Sequence, residues 1–218
     1  MKITELFDLT RTAAGGYLKG FVYPWEALSG LKDFILNLGE SLGGDYIEIS
    51  SGVWVHKSVS VDKTSYIGGP CIIGENTQVR HCAFIRGGAL IGKDCVVGNS
   101  TEIKNSVLFD SVQVPHYNYV GDSILGYKAH LGAGAVTSNV KSDRTLVTVK
   151  GGEFEIATGL KKLGAMLGDG VEVGCNSVLN PGTVVGKNTN IYPLSRVRGI
   201  VPADSIFKNN NDVAEKIS

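Results

Sequence analysis

Cys71-Ile72-Ile73-Gly74-Glu75-Asn76-Thr77-Gln78-Val79-Arg80-His81-Cys82-Ala83-Phe84-Ile85 places an aliphatic residue at every sixth position: Ile73, Val79 and Ile85. The series extends both ways without a miss, back through Ile67, Val61 and Val55 and on through Ile91, Val97 and Ile103. A period of six is neither helical nor the simple alternation of a strand. It is the period of a parallel β-helix, in which each short run forms one flat wall and three walls complete a coil. Two residues before each aliphatic, from Ile67 to Ile103, the side chain is small: Ser65, Cys71, Thr77, Ala83, Ala89, Cys95 and Thr101. These positions also face the narrow interior, where only small groups fit beside stacked aliphatics. Gly68, Gly74, Gly92 and Gly98 follow the aliphatics, at corners expected to need unusual backbone angles.

One row after Ile103 is a residue short, and the series resumes as Leu108, Val114, Val120, Leu125, Leu131 and Thr137. It breaks for about thirty residues and returns as Leu167, Val173, Leu179, Val185, Ile191 and Val197. Three rows to a turn predict about seven coils. Residues eighteen apart in the unbroken part are predicted to stack directly above one another.

Residues 1–50 carry apolar residues at loosely helical spacings, and Pro24 stands where a helix can begin. They predict two or three short helices capping the N-terminal end of the prism, with the repeat occupying 51–205 and a tail at 206–218 able to reach a neighbour. The excursion at 138–162 lacks the register, yet Leu146-Val147-Thr148-Val149 alternates and Lys150-Gly151-Gly152-Glu153 resembles a hairpin turn. An excursion from a regular solenoid predicts function or a cross-subunit contact.

Twenty-one Lys and Arg balance twenty-one Asp and Glu. Nothing in that balance argues for nucleic acid or an anionic membrane as partner. No apolar run approaches a membrane span and no signal-peptide pattern opens the chain, so a cytoplasmic location is expected. The four cysteines lack a CxxC spacing, which fits reduced structural thiols.

Arg86 and Lys104 each follow a core aliphatic and are eighteen apart, which predicts one cation above the other on a single corner. Such a stack calls for an anion or a carboxylate between the charges; the alternative is a pair of solvated cations. His116, at a corner expected near Lys104, is either a general base working near neutral pH or a plain surface residue. The four histidines, His56, His81, His116 and His130, show none of the spacings of a zinc site, so no metal is expected.

Three stretches then follow one another in order: Gly98-Asn99-Ser100-Thr101-Glu102-Ile103-Lys104-Asn105, His116-Tyr117-Asn118-Tyr119-Val120-Gly121-Asp122, and Leu131-Gly132-Ala133-Gly134-Ala135-Val136-Thr137-Ser138-Asn139. Their order and spacing resemble the acetyltransferase domain of the bifunctional N-acetylglucosamine-1-phosphate uridylyltransferase/glucosamine-1-phosphate acetyltransferase family. Thr158-Gly159-Leu160-Lys161-Lys162-Leu163-Gly164-Ala165 resembles the archaeal-type sugar-phosphate nucleotidylyltransferases that carry a similar prism. The resemblance implies an all-β fold, a left-handed parallel β-helix of about seven coils, assembled as a homotrimer with the site between prisms. It implies acetyl transfer from acetyl-CoA to the 2-amino group of glucosamine 1-phosphate, in the synthesis of nucleotide-sugar precursors.

Carried over by motif, His116 takes the amine proton, Arg86 and Lys104 hold the sugar phosphate, and Tyr119 and Asn139 contact the acceptor. Gly121 and the turn Gly132-Ala133-Gly134 offer backbone amides to the acyl oxygen. His130 replaces the family's asparagine on the acceptor side. On the coenzyme side Cys175 stands for a serine, and Tyr192-Pro193 for small residues. The family's phosphate-binding lysine beyond Asn139 is unmatched, with Lys141 and Lys150 as substitutes. The family's Gly-x-Gly-Thr-Arg nucleotide motif is absent, so the chain resembles a stand-alone acetyltransferase half. The alternative is a non-catalytic prism that binds sugar phosphate or nucleotide sugar and regulates or scaffolds a separate nucleotidyltransferase.

Overall fold

The computed structural model describes residues 1–152, 154–209 and 212–216. The hexapeptide rows form a left-handed parallel β-helix with three walls, two of nine strands and one of seven. The inward aliphatics stack in register from coil to coil, as in Ile73 on Ile91, Val79 on Val97 and Ile85 on Ile103. All six are at most 1% exposed. The small interior positions Cys71, Thr77, Ala83, Ala89, Cys95 and Thr101 are equally buried. Buried hydroxyls there are satisfied by the backbone: Thr77 Oγ1 donates to Gly92 O (2.8 Å) and Thr101 Oγ1 to Val114 O (3.0 Å).

The chain winds beyond the seven coils expected. Ile200–Val201 and Ser205–Asn209 add a further strand to two of the walls. The spacing from Val197 to Val201 is four rather than six, which hides these rows from a six-residue period. The corners also differ from expectation. The left-handed backbone falls on Asn76, Asp94, Ser100 and Asp122 rather than on the glycines that follow the aliphatics; Asn and Asp tolerate that conformation best among residues with a Cβ. Gly98 is required for close stacking instead, because a Cβ there would sit 1.6 Å from Pro115 O.

Outward-facing positions give each wall its character. One column, Trp54, Ile72, Leu90, Val107, Ile124, Met166, Val184 and Ile200, is entirely apolar. A second, Ser60, Gln78, Val96, Gln113, His130, Glu172, Asn190 and Ile206, is mostly polar. The third is mixed: Tyr66, Phe84, Glu102, Tyr119, Val136, Val178 and Arg196. We call these the apolar, polar and mixed walls.

The apolar wall must be covered, and the N-terminal fifty residues cover it. They do not cap the end of the prism, as the sequence suggested. Instead the segment runs along the wall against the direction of winding. The helix Leu31–Glu40 lies on the first coils, where a Cβ on Gly39 would strike the Trp54 ring. Farther along, the rings of Phe7 and Phe109 lie 5.0 Å apart, and Asp169 N–H in the sixth coil donates to Leu6 O (3.0 Å). Only the strand Tyr46–Ser50 of this segment joins a sheet, antiparallel to Val53–His56.

The excursion leaves after Val136–Thr137 on the mixed wall and returns at Ala165–Leu167 on the apolar wall. Its strands Thr148–Gly151 and Phe154–Ala157 form the expected hairpin; Glu153 of the predicted turn lies outside the described residues. The hairpin packs its buried Val147 and Val149 back toward its own prism, while Leu146 and Phe154 are half exposed. The tail likewise folds home: Asp212–Glu215 pairs antiparallel with Ser205–Asn209. Asn210 and Asn211 of the tail lie outside the described residues. Among the described residues no helix is long and apolar enough to cross a membrane.

Candidate functional site

The mixed wall is bounded by two edges, and the candidate residues divide between them. On the edge shared with the apolar wall, Arg86 follows the strand Phe84–Ile85 and Lys104 ends Glu102–Lys104, one coil on. The stack predicted from the eighteen-residue interval is present: Arg86 N–H donates to Ile103 O (2.8 Å), and Lys104 pairs with Gly121 of the next coil. The two cations do not share one anion, however. Each has its own carboxylate. Arg86 Nη1 lies 2.8 Å from Glu102 Oε1, and Lys104 Nζ lies 3.0 Å from Asp122 Oδ2. The hydrogen bond that Arg86 donates to Glu102 raises the Arg86 pKa further.

Asp122, which no sequence motif singled out for a role, is the hub of this edge. It is 4% exposed. Besides Lys104 it accepts hydrogen bonds from Asn105 Nδ2 (2.9 Å) and Asn139 Nδ2 (2.5 Å). Asn139 Nδ2 also donates to Tyr119 Oη (3.1 Å). The Tyr119 hydroxyl stays neutral, because burial and then the Asp122 and Glu102 carboxylates push its pKa above the usual 10. Arg86, Lys104, Tyr119 and Asn139 are therefore brought together, as their motifs suggested. The signal for Asp122 was available: the short row makes this coil seventeen residues, so Lys104 stacks on Gly121 and Asp122 follows it directly at the same corner.

Gly121 plays a different part from the one expected. Its N–H donates to Thr137 Oγ1 (3.0 Å), so it is not offered outward. A Cβ there would lie 2.5 Å from Tyr119 Oη, so the missing side chain makes room for the tyrosine to lie along the wall.

The opposite edge, shared with the polar wall, carries His116 at the end of the strand Gln113–His116. It is not beside Lys104, as expected, but across the mixed wall from it. Two strand rises from Tyr119 to Gly121, about 7 Å, separate the edges before the corner itself is counted. The imidazole is exposed, and among the described residues no side-chain hydrogen bond holds it. Its backbone is held firmly. Buried Asn118 accepts from His116 N–H (3.1 Å) and donates to Gly132 O (2.8 Å) and Ala135 O (3.1 Å), which pins the histidine corner to the glycine turn.

The predicted coenzyme-side residues form one column along this second edge. Gly134 N–H donates to His116 O (3.0 Å), Asn176 N–H to Ala133 O (2.8 Å), and Leu194 N–H to Cys175 O (2.9 Å). Pro193 stacks next, because Gly174 lacks a Cβ that would come 2.4 Å from Pro193 N. Cys175 and Pro193 are exposed. Of the turn amides, Gly132 and Gly134 are spent on Val173 O and His116 O; among the described residues Ala133 N–H alone of the three has no partner.

His130 does not join either cluster. It faces outward on the polar wall, its Nδ1 2.7 Å from Glu172 Oε2. The substitute lysines beyond Asn139 are also paired, Lys141 with Asp143 (3.4 Å) and Lys150 with Glu155. With Arg198 they line a cavity of about 410 Å³ farther along the first edge.

A fold of stacked hexapeptide coils, with a histidine on one edge and a cation cluster on the other, places the chain among the β-helical acyltransferase-like prisms. Comparison with known proteins narrows this. Residues 69–166 match the GMPPB C-terminal domain model. The uncharacterized acetyltransferase YaiX of Escherichia coli O6:K15:H31 is 35% identical over 180 residues, covering 73% of this chain and 77% of that protein. The bifunctional protein GlmU of Methanococcus maripaludis is 31% identical over 195 residues, covering 87% of this chain and 47% of that protein. The bifunctional sugar-1-phosphate nucleotidylyltransferase/acetyltransferase of Sulfurisphaera tokodaii is 30% identical over 197 residues, with 88% and 49% covered. The chain belongs to the hexapeptide-repeat acetyltransferase family. It spans about half the length of the archaeal relatives it matches.

Proposed function

We propose that the protein transfers an acetyl group from acetyl-CoA to the amino group of an amino-sugar 1-phosphate of the glucosamine 1-phosphate type. The observation that supports this reading is the division of labour across the mixed wall. Cations and hydrogen-bond donors gather on one edge, and an exposed histidine heads a stacked column on the other. The acceptor lies along the wall with its phosphate toward Arg86 and Lys104. Its sugar lies over Tyr119, and its amine points toward His116. The His116 imidazole takes the amine proton as nitrogen attacks the thioester carbonyl; the new N–C bond forms, the C–S bond breaks, and the imidazolium returns the proton to the departing sulfur, releasing coenzyme A as the thiol. The free Ala133 N–H is the donor placed for the acyl oxygen. Cys175 and Pro193 carry the coenzyme arm.

The active unit in this reading is a homotrimer. The apolar wall is already covered, and the polar wall suits solvent. The mixed wall exposes Tyr66, Phe84 and Val178 at 59%, 42% and 38%, which suits a second copy. Release of coenzyme A thiol, followed with acetyl-CoA and a panel of amino sugars with and without a 1-phosphate, tests the reading. Turnover of the phosphorylated acceptors is expected. No thiol release with any of them removes the catalytic reading and leaves a binding prism.

A further inference from the structure

The cation edge is not built by the prism alone. A cavity of about 390 Å³ is lined by Arg86, Lys104 and Asp122 of the prism together with Ser29 and Lys32 of the N-terminal segment. Lys32 is the second residue of the helix Leu31–Glu40, and its side chain lies over the Gly87-Gly88 turn. A Cβ built on Gly88 would come 3.3 Å from Lys32 Cε and 3.3 Å from Asn105 Oδ1. That glycine leaves the space the lysine occupies. Among the described residues Lys32 has no carboxylate partner, whereas Glu102 and Asp122 are already engaged by Arg86 and Lys104. Three cations thus face two committed carboxylates. The surplus positive charge sits in a polar cavity sized for a small anion.

We infer that Lys32 is a third cation of the phosphate subsite, so that the N-terminal segment belongs to the acceptor site as well as covering the apolar wall. This rests on the acceptor reading above. A phosphate dianion in this cavity over Arg86 and Lys104 also meets the Lys32 ammonium, a charge that comes from outside the prism. The segment then reports whether the acceptor is phosphorylated, because an uncharged sugar gains nothing from Lys32.

Titration calorimetry of the whole chain with inorganic phosphate tests this. Lys32→Met keeps the aliphatic stem over Gly88 and removes only the charge. Phosphate affinity is expected to fall about five- to tenfold, the scale of one partly exposed charged hydrogen bond, with the melting temperature unchanged. Lys32→Arg is expected to retain most of the affinity. The KM for a phosphorylated acceptor should rise several times more than that for the unphosphorylated amino sugar. Lys32→Met binding phosphate like wild type, while Arg86→Met loses it, overturns the inference and leaves the acceptor reading standing. Wild type that neither binds phosphate nor distinguishes the two acceptors overturns both. Equal loss for both sugars together with a lowered melting temperature makes Lys32 a packing residue, which also overturns it.

Discussion

Replacing Lys104 with methionine removes an ammonium group while keeping most of the side-chain volume. The ion pair it leaves is largely buried, with the Lys104 and Asp122 side chains 19% and 6% exposed. Breaking one partner of a fully buried pair costs about 3–5 kcal/mol, because the remaining charge is stranded in a low dielectric. Asp122 would keep its hydrogen bonds from Asn105 and Asn139, and some water reaches the lysine. Those two facts reduce the expected cost to about 2–3 kcal/mol. For a chain of this length that lowers the melting temperature by about 5–10 °C. Urea titration should show the same loss in midpoint with an unchanged slope. Arg86→Met is the control: its pair with Glu102 is 48% and 31% exposed and screened by solvent, so no shift in midpoint is expected. Adding Asp122→Asn to Lys104→Met removes the stranded charge and should recover most of the loss. A Lys104→Met variant as stable as Arg86→Met would refute the account of Asp122 as a buried hub.

His116→Ala should lower turnover by about a hundredfold or more, the usual scale for a lost general base, without changing the melting temperature, since the residue is exposed and no side-chain hydrogen bond holds it among the described residues; a wild-type rate would exclude the role. Thiol labelling at pH 8 should modify Cys82 and Cys175 only, because burial pushes the Cys71 and Cys95 thiols up to about 12. Saturating acetyl-CoA should protect Cys175, and labelling at an undiminished rate would remove that residue from the coenzyme column. Light scattering should return three times the 23.1 kDa chain mass, and a particle of one chain mass would contradict the trimer.

The fold was legible because a β-helix writes its core into the sequence at a fixed period. Ile73, Val79 and Ile85 had no other consistent explanation. What covers the outside was harder to see. The apolar column Ile72, Leu90 and Val107 was present in the sequence, but it was masked by the stronger inward series one residue later. Without it, the N-terminal helices have no surface to claim except the open end of the prism. The site followed the same pattern. Stacking of Arg86 on Lys104 came directly from the coil length, whereas His130 was placed by resemblance alone, standing where the family has an asparagine. The strand directs the His130 side chain onto the polar wall, beside Glu172, which a motif position does not reveal. Counting the short coil forward from Lys104 reaches Gly121, with Asp122 next to it at the corner.

The course of the N-terminal segment bears on how this molecule comes apart. In a solenoid each coil touches only its neighbours, so stability is nearly a one-dimensional sum and the ends can fray independently. Here one stretch of chain grips the first coil through Gly39 and Trp54 and the sixth through Leu6 and Asp169. Opening any coil between them requires stripping that stretch away. Amide exchange across the first six coils should therefore be governed by a single cooperative opening, while the last coils, beyond its reach, exchange on their own.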